Sequence, residues 1–350
     1  METIYFEKFL KCKEPLDIND IKPISNLLSY DNLNKDLDIN ILNRCSIVKL
    51  NGGLGTTMKC TKPKGCIEVF NDETFLDIAI KQTINMNSKY NSNIPFILMN
   101  SEYTEEETKQ ITNKYSDKLE IMSFNQEFLN RFKEEEFLSG ELKLDDTRYP
   151  PGTGNFYESL YKSEVYSRLR ERGIEYLFIS NIDNLSATLD LSILNHLLKN
   201  KNSFLMEICK RTETDRKGGF PCLWKDKSHL LEIAQVLPNQ LDLFTDINRY
   251  PYFNTNNLWI RLDVITDKFD LFVISNPKVI NNKRVIQLES VIGTAYSNFN
   301  DSIILEVNRD RFHPIKTLDN FNDLKNNYKL DDNYKLIKNY DVLYYNIQCQ

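Results

Sequence analysis

From residue 45 to residue 210 the chain alternates short apolar runs with longer stretches of helical spacing, and this order narrows the fold more than any single motif. "SIVKLN", "IPFILMN", "LEIMSFNQ", "EYLFISNID" and "SFLMEICKR" are strand-sized. Between them, "DETFLDIAIKQTINM", "TEEETKQITNKY", residues 156–171 and "LDLSILNHLLKN" carry apolar residues at helical spacing. Strands separated by helices pair in parallel. The expected architecture is therefore α/β, with a mixed, mostly parallel central sheet and helices on both faces. Ligands of such sheets bind at the carboxyl ends of the strands. The loop after Asn51, "NQ" at 125–126 and "NIDN" at 181–184 are polar strand ends expected to face one crevice. Beyond 220 the strands read as more mixed, with "LLEIAQV", "NLWIRLDVI", "KRVIQL" and "SIILEVN". Residues 1–44 read as an amphipathic helical segment, 45–320 as the core and 321–350 as a short extension.

The chain holds 11 glycines, yet three lie within 52–55, two in "YPPGTGN" (Gly152, Gly154) and two in "DRKGGF" (Gly218, Gly219). Glycine lets backbone turn through positive φ or approach a ligand closely. The stretch "SIVKLNGGLGTTMKCTKPKGC" is neither a Walker A element, lacking GK[ST], nor GxGxxG, because Met58 holds the third position. A tight strand-to-helix turn would need one or two glycines and nothing more. Here Thr56, Thr57, Lys59, Lys62 and Lys64 follow Gly55, a combination suited to a multi-phosphate anion held by backbone N–H groups and ammonium charges.

Charge and composition exclude several classes. Lys+Arg is 44 against Asp+Glu 50, a net charge of −6, which argues against nonspecific binding to nucleic acid or anionic membrane. The first residues offer no signal-peptide core, and the apolar runs are too short to span a bilayer. Seven cysteines, odd in number and without a CxxC pair, read as free thiols of a reducing, cytoplasmic compartment. His196, His229 and His313 are too scattered to suggest a metal cluster. No GxSxG, HExxH or cysteine–histidine nucleophile pattern occurs. A reaction whose nucleophile is already an anion, such as a sugar phosphate, needs none of these. It needs in-line positioning and charge neutralisation.

Three further motifs each admit two readings. In "NIDN", Asp183 at a strand end suits Mg²⁺, with phosphates and water completing its shell, or closes the strand as an Asx-turn. The amides of "FNTNNLW" suit sugar hydroxyls or a turn. Lys316 in "RFHPIKT" is a cation for a phosphate or a solvated surface group.

These residues carry a family signature. "KLNGGLGTTMKCTKPKG" resembles the opening motif of eukaryotic-type UDP-glucose pyrophosphorylases. The resemblance continues in order through "TFLDIAIKQ", "ILMNS", "FNQ", "YPPGTGN", "NIDNLSATLDLSILNHL", "KGG", "LLEIAQV", "FNTNNLW", "VIQLESVIGTA" and "RFHPIKT", over roughly 45–320. It implies a Rossmann-like nucleotidyltransferase core that converts UTP and glucose 1-phosphate to UDP-glucose and pyrophosphate with Mg²⁺. By the same resemblance Leu50, Asn51, Gly52 and Gly53 wrap the nucleotide, and Lys64 neutralises its phosphates. Gln126 and Gly152 read the uracil. Asn181 meets ribose and sugar phosphate, Asp183 is the metal ligand, and Lys316 stabilises the phosphates during transfer. Asn256, Glu232 and Glu289 contact the sugar, with Thr153 beside it.

The chain also departs from that pattern. Thr153 and Asn155 replace the histidine and acid of "PPGHGD". Lys59, Thr61 and Gly65 stand where glycine, glycine and serine are usual. The same chemistry on N-acetylglucosamine 1-phosphate is one alternative implied by Thr153, and a non-catalytic UDP-sugar-binding protein is another. Only 34 residues follow Lys316, where relatives continue into a β-helix domain, so a monomer or small oligomer is the expectation.

Overall fold

A computed structural model describes residues 1–12, 14–24, 27–35, 37–54 and 62–339. Gly55, Thr56, Thr57, Met58, Lys59 and Thr61 of the glycine loop lie outside the described residues. The chain divides into two compact units. One, the glycine-loop unit, comprises Asp31–Asn125, Ser167–Lys201 and Asn308–Gln350. The other, the meander unit, comprises Met1–Tyr30, Gln126–Tyr166 and Asn202–Val307.

In the glycine-loop unit the strand Cys45–Leu50 lies between Tyr176–Asn181 and Phe96–Asn100, with Ile121–Asn125 beyond, and every pairing is parallel. All six residues of Cys45–Leu50 are buried, so the strand shows no in–out alternation, as befits a central strand covered on both faces. The register pairs Leu50 with Asn181 and with Met99, and Asn100 with Asn125, so the four strands end level. The helix Phe75–Tyr90 starts with a reciprocal cap between Thr74 and Asp77 and stops at Asn91 in the left-handed region. Asp190 caps Leu191–Asn200 by accepting from the amides of Ser192 and Ile193. The Tyr176 hydroxyl then donates to the Leu197 carbonyl, tying that helix to its strand.

In the meander unit, Phe204–Lys210 pairs in parallel with Ile303–Glu306 and antiparallel with Tyr252–Arg261. A second sheet is an antiparallel set of Val273–Ile280, Lys283–Ser290, Leu129–Lys133 and Leu144–Tyr149. The helix Glu2–Cys12 buries Tyr5 and Phe6 against Leu129, Phe132, Phe137 and Tyr149 of that sheet's core. A third, Ile21–Pro23 with Phe220–Trp224 and Lys227–Leu231, encloses Ile18, Phe220, Phe244 and Tyr250.

Three expectations about local structure change. Among the described residues of 1–44, only Glu2–Cys12 is α-helix, followed by short 3-10 turns and two short strands. Pro15 and Pro23 interrupt the pattern, and Asp17 and Asp38 accept from the amides of Asn19 and Asn40, a local bond that competes with helix. "LLEIAQV" is not one strand. Its strand ends at Leu231, where Glu232 and Gln235 cap each other around the turn Ile233–Gln235. The helix expected over 156–171 breaks at Ser163, which is extended, into Phe156–Lys162 and Glu164–Glu171.

His229 gives the meander unit a pH dependence. Burial holds its imidazole down to about 4, with Gln235 beside its Nε2 at 2.9 Å. An ordinary histidine titrates near 6.5. Between pH 6.5 and 4 the unfolded chain therefore binds a proton that the folded chain refuses, and stability falls as pH drops through that window. His229→Gln is expected to remove about 2 kcal/mol of the loss between pH 7 and pH 5. Urea unfolding of both proteins at the two pH values measures it, and equal losses would contradict it.

Candidate active site

The level strand ends of the glycine-loop unit present Asn51, Asn100 and Asn181 together. The Asn51 side chain does not point outward. It is 1% exposed, and its Nδ2 donates to Asn100 Oδ1 and Thr108 Oγ1, both at 2.8 Å. Its Oδ1 is buried without a hydrogen-bond partner and lies against Gly65, where an added Cβ would sit 2.3 Å away. Gly65, the departure from the family's serine, thus makes room for this amide. Leu50 is also buried, so of the expected nucleotide-wrapping set it is Gly52 and Gly53 that offer accessible backbone. The Gly52 carbonyl accepts from the Ser101 hydroxyl at 2.8 Å, and the Gly53 carbonyl accepts from the Lys64 amide at 3.1 Å. Together with the Leu54–Pro63 bridge, this last bond closes the base of the loop.

Lys64 and Asp183, 119 positions apart, meet here. The ammonium is bonded to Asp183 Oδ2, and the side chains are 18% and 7% exposed. Asp183 Oδ1 is buried without a hydrogen-bond partner. Among the described residues no group of three His, Cys, Asp or Glu side chains gathers around a metal position. One carboxylate with an unused oxygen fits Mg²⁺, which keeps most of its shell for phosphate and water. Behind the turn lies Lys49, 2% exposed, with Nζ donating to Ser180 Oγ at 2.8 Å and to the Ala187 carbonyl at 2.9 Å. Burial pushes its ammonium down to about 7, against the opposing pull of Asp183.

The "RFHPIKT" segment docks on the same turn through Asn184. Its Oδ1 accepts from the His313 amide at 3.0 Å, and its Nδ2 donates to the Arg311 carbonyl at 3.3 Å. Arg311 in turn donates to the Thr188 carbonyl at 3.0 Å. Lys316 follows, exposed, just before Thr317 caps the helix Leu318–Asn327. The structure brings Asn181, Asp183, Lys64 and the Lys316-bearing segment together.

The meander unit carries the other expected residues. Gly152 has φ +85° and ψ 173°, and the Ser290 amide donates to the Pro151 carbonyl beside it at 2.9 Å. The Thr153 hydroxyl accepts from the Ile292 amide at 3.2 Å, so it fastens "VIQLESVIG" to "YPPGTGN". Asn155, 1% exposed, accepts the Glu127 amide at 2.7 Å, which sets the backbone next to the buried Gln126. Its Nδ2 faces Glu127 Oε2 at 3.4 Å, where an acid would repel, and this accounts for the amide in place of the family's acid. Glu289 accepts from Asn276 at 3.0 Å. The Glu232 carboxylate lies against Gly219, whose added Cβ would come within 2.4 Å of it. Asn256 adopts φ +60°, with its amide donating to Asn254 Oδ1, opposite a register slip between Met206 and Ile208.

Four buried polar side chains around these positions were not named as site residues from the sequence: Lys49, Ser101, Asn184, although it ends the quoted "NIDN", and Glu207. Glu207 is fully buried and accepts from Trp259 Nε1 at 2.9 Å and Asn257 Nδ2 at 3.2 Å, bracing the strand that carries Asn256. A lone acid in the apolar run "SFLMEICK" was the available signal.

Comparison with known proteins gives the family. The profile of the UTP–glucose-1-phosphate uridylyltransferase family matches residues 3–344. The chain belongs to this family. A UTP–glucose-1-phosphate uridylyltransferase from Astragalus penduliflorus is 43% identical over 286 residues, 79% of this chain and 61% of that protein. The chain thus spans about 61% of the length of that relative. A UDP-glucose phosphorylase structure from Trypanosoma brucei is 32% identical, with a TM-score of 0.85 over 97% of this chain and 77% of the other. A variant of Leishmania major UDP-glucose pyrophosphorylase, solved with UDP-glucose, is 31% identical, with a TM-score of 0.86 over 96% and 77%. The fold is accordingly the mixed α/β fold of this family.

Proposed function

We propose that this chain is a uridylyltransferase that converts UTP and glucose 1-phosphate into UDP-glucose and pyrophosphate. The observation that carries the reading is the Lys64–Asp183 pair at the level strand ends, in a chain of this family. A phosphate oxygen of glucose 1-phosphate attacks the α-phosphorus of UTP, a new P–O bond forms, and the bond to pyrophosphate breaks. The nucleophile is already an anion, so no general base is required, and the work is positioning and charge neutralisation. Lys64 and the backbone of Gly52 and Gly53 hold the UTP phosphates. Gln126 and Gly152 select the uracil, and Asn181 meets ribose and sugar phosphate. Asn256, Glu232 and Glu289 hold sugar hydroxyls, with Thr153 beside them. Asp183 would hold Mg²⁺, which supplies charge neutralisation on the phosphates when bound. A cytoplasmic location is part of the same proposal, on the ground that seven cysteines without a CxxC pair read as free thiols of a reducing compartment.

The test is pyrophosphate release by the purified chain with UTP, Mg²⁺ and one of three sugars: glucose 1-phosphate, galactose 1-phosphate or N-acetylglucosamine 1-phosphate. Preference for glucose 1-phosphate supports the reading. Preference for the acetamido sugar would reassign the substrate, and no release with any of them would leave a binding protein. Lys316, exposed at a helix start, is expected to act on turnover alone: Lys316→Ala should lower kcat by roughly 10²-fold with melting temperature unchanged. Wild-type turnover in that variant removes Lys316 from the mechanism.

A further inference from the structure

We infer that Lys49 is a positioning residue for this reaction, its buried Nζ clamping together the two ends of the turn that carries Asn181 and Asp183. The inference rests on the uridylyltransferase reading for its kinetic consequence but on geometry for the clamp itself.

Lys49 lies opposite Ser180 in the parallel register. One N–H bond runs to Ser180 Oγ, at the end of the strand, and another to the Ala187 carbonyl, where the turn returns. Ser180 and Ala187 are 0% and 1% exposed, so both anchors are fixed. Between them the backbone is held by the Asn184 amide to the Asn181 carbonyl at 3.2 Å, the Ala187 amide to the Asn184 carbonyl at 3.1 Å, and the Ile182 amide to the Leu50 carbonyl at 3.2 Å. The first two bonds shape the turn and the third joins its start to the strand Cys45–Leu50, whereas Lys49 Nζ ties both of its ends to that strand. Through Asn184 the same turn holds Arg311 and His313, so the clamp also sets the segment that leads to Lys316.

Stability alone does not explain a lysine here. Burying a lysine head group carries a desolvation cost that its bonds must offset, and an apolar side chain of similar volume is often neutral or stabilising in such a place. A cavity of about 200 Å³ bordered by Lys49, Ala79, Met86 and Leu189 gives a replacement room to settle. What an apolar side chain cannot do is hold two acceptors seven positions apart, Ser180 Oγ and the Ala187 carbonyl, around the turn that aims Asp183.

The experiment compares the full chain with its Lys49→Met and Ser180→Ala variants by amide hydrogen exchange, melting temperature and steady-state pyrophosphate release. In Lys49→Met, exchange over 181–187 should speed up by roughly tenfold or more, while the strand Phe96–Asn100 stays protected. The melting temperature should hold or rise. In the same variant kcat should fall roughly 30-fold, with KM for glucose 1-phosphate within about threefold of wild type. Ser180→Ala, losing one of the two bonds, should show the same local effect at smaller size, and it decides the matter if Lys49→Met does not fold. Unchanged exchange over 181–187, or equal acceleration there and in Phe96–Asn100, overturns the clamp. A wild-type chain that releases no pyrophosphate overturns the enzymatic reading instead, and the exchange data still judge the clamp.

Discussion

Replacing Lys64 by alanine is expected to lower kcat for pyrophosphate release by roughly 10²–10³-fold, the usual cost of removing one donor to transition-state charge, about 3–4 kcal/mol. The same substitution strips the counter-charge from Asp183, a carboxylate only 7% exposed on its side chain, with its other oxygen already without a partner. Stability should therefore fall too, by about 2–3 kcal/mol, because a broken buried pair leaves one charge uncompensated. The two effects separate in the double variant Lys64→Ala/Asp183→Asn. Removing both charges should restore most of the stability while turnover stays low. Urea unfolding and steady-state kinetics on the four proteins of the cycle measure this. A double variant that regains turnover would remove both Lys64 and Asp183 from the mechanism and leave them a structural pair.

Gly152→Ala should be strongly destabilising. Its φ of +85° with ψ 173° lies in a region that only glycine occupies readily, worth about 1–3 kcal/mol to any other residue. An added Cβ would also stand 2.4 Å from the Ser290 carbonyl oxygen, a backbone atom fixed by the neighbouring bond from the Ser290 amide to Pro151. The clash cannot relax through a side chain. A loss of about 3–5 kcal/mol is expected, lowering the melting temperature by roughly 10 °C. Gly140→Ala is the control. Its φ is +88°, but nothing lies within 4 Å of the added Cβ, so it should cost only about 1 kcal/mol. If the two variants melt together, the close approach at Ser290 carries no cost.

Much of the glycine-loop unit could be read along the chain. Burial on both faces makes Cys45–Leu50, Phe96–Asn100 and Tyr176–Asn181 mostly apolar runs, broken by the buried Ser46, Lys49 and Ser180, while the capped helices between them keep helical spacing. Residues 1–44 were misread because recurring leucines resemble a helix face. Pro15, Pro23 and the local bonds of Asp17 and Asp38 outweigh that spacing. The strands Leu129–Lys133 and Leu144–Tyr149 escaped because neither alternates cleanly: a register shift between Asn130 and Phe132 puts the buried Leu129 and Phe132 out of step, and the buried side of Leu144–Tyr149 carries Asp145 while Leu144 is exposed.

The candidate site divides in the same way. Residue type and order along the chain were enough to mark the glycine loop, the lysine that closes it, the strand-end carboxylate and the family to which these belong, because each is a local requirement of phosphate chemistry. Which groups meet was decided only by the tertiary structure. It placed Lys64 on Asp183 across 119 residues, turned Asn51 inward against Gly65, and set Asn184 as the dock for His313. It also put Lys49 beneath the turn, where two carbonyl and hydroxyl acceptors converge on one ammonium. Contacts of that kind depend on strand register and on burial. Neither leaves a periodic mark in the sequence, because a single buried polar side chain satisfied by distant partners looks, along the chain, like any other residue of its type.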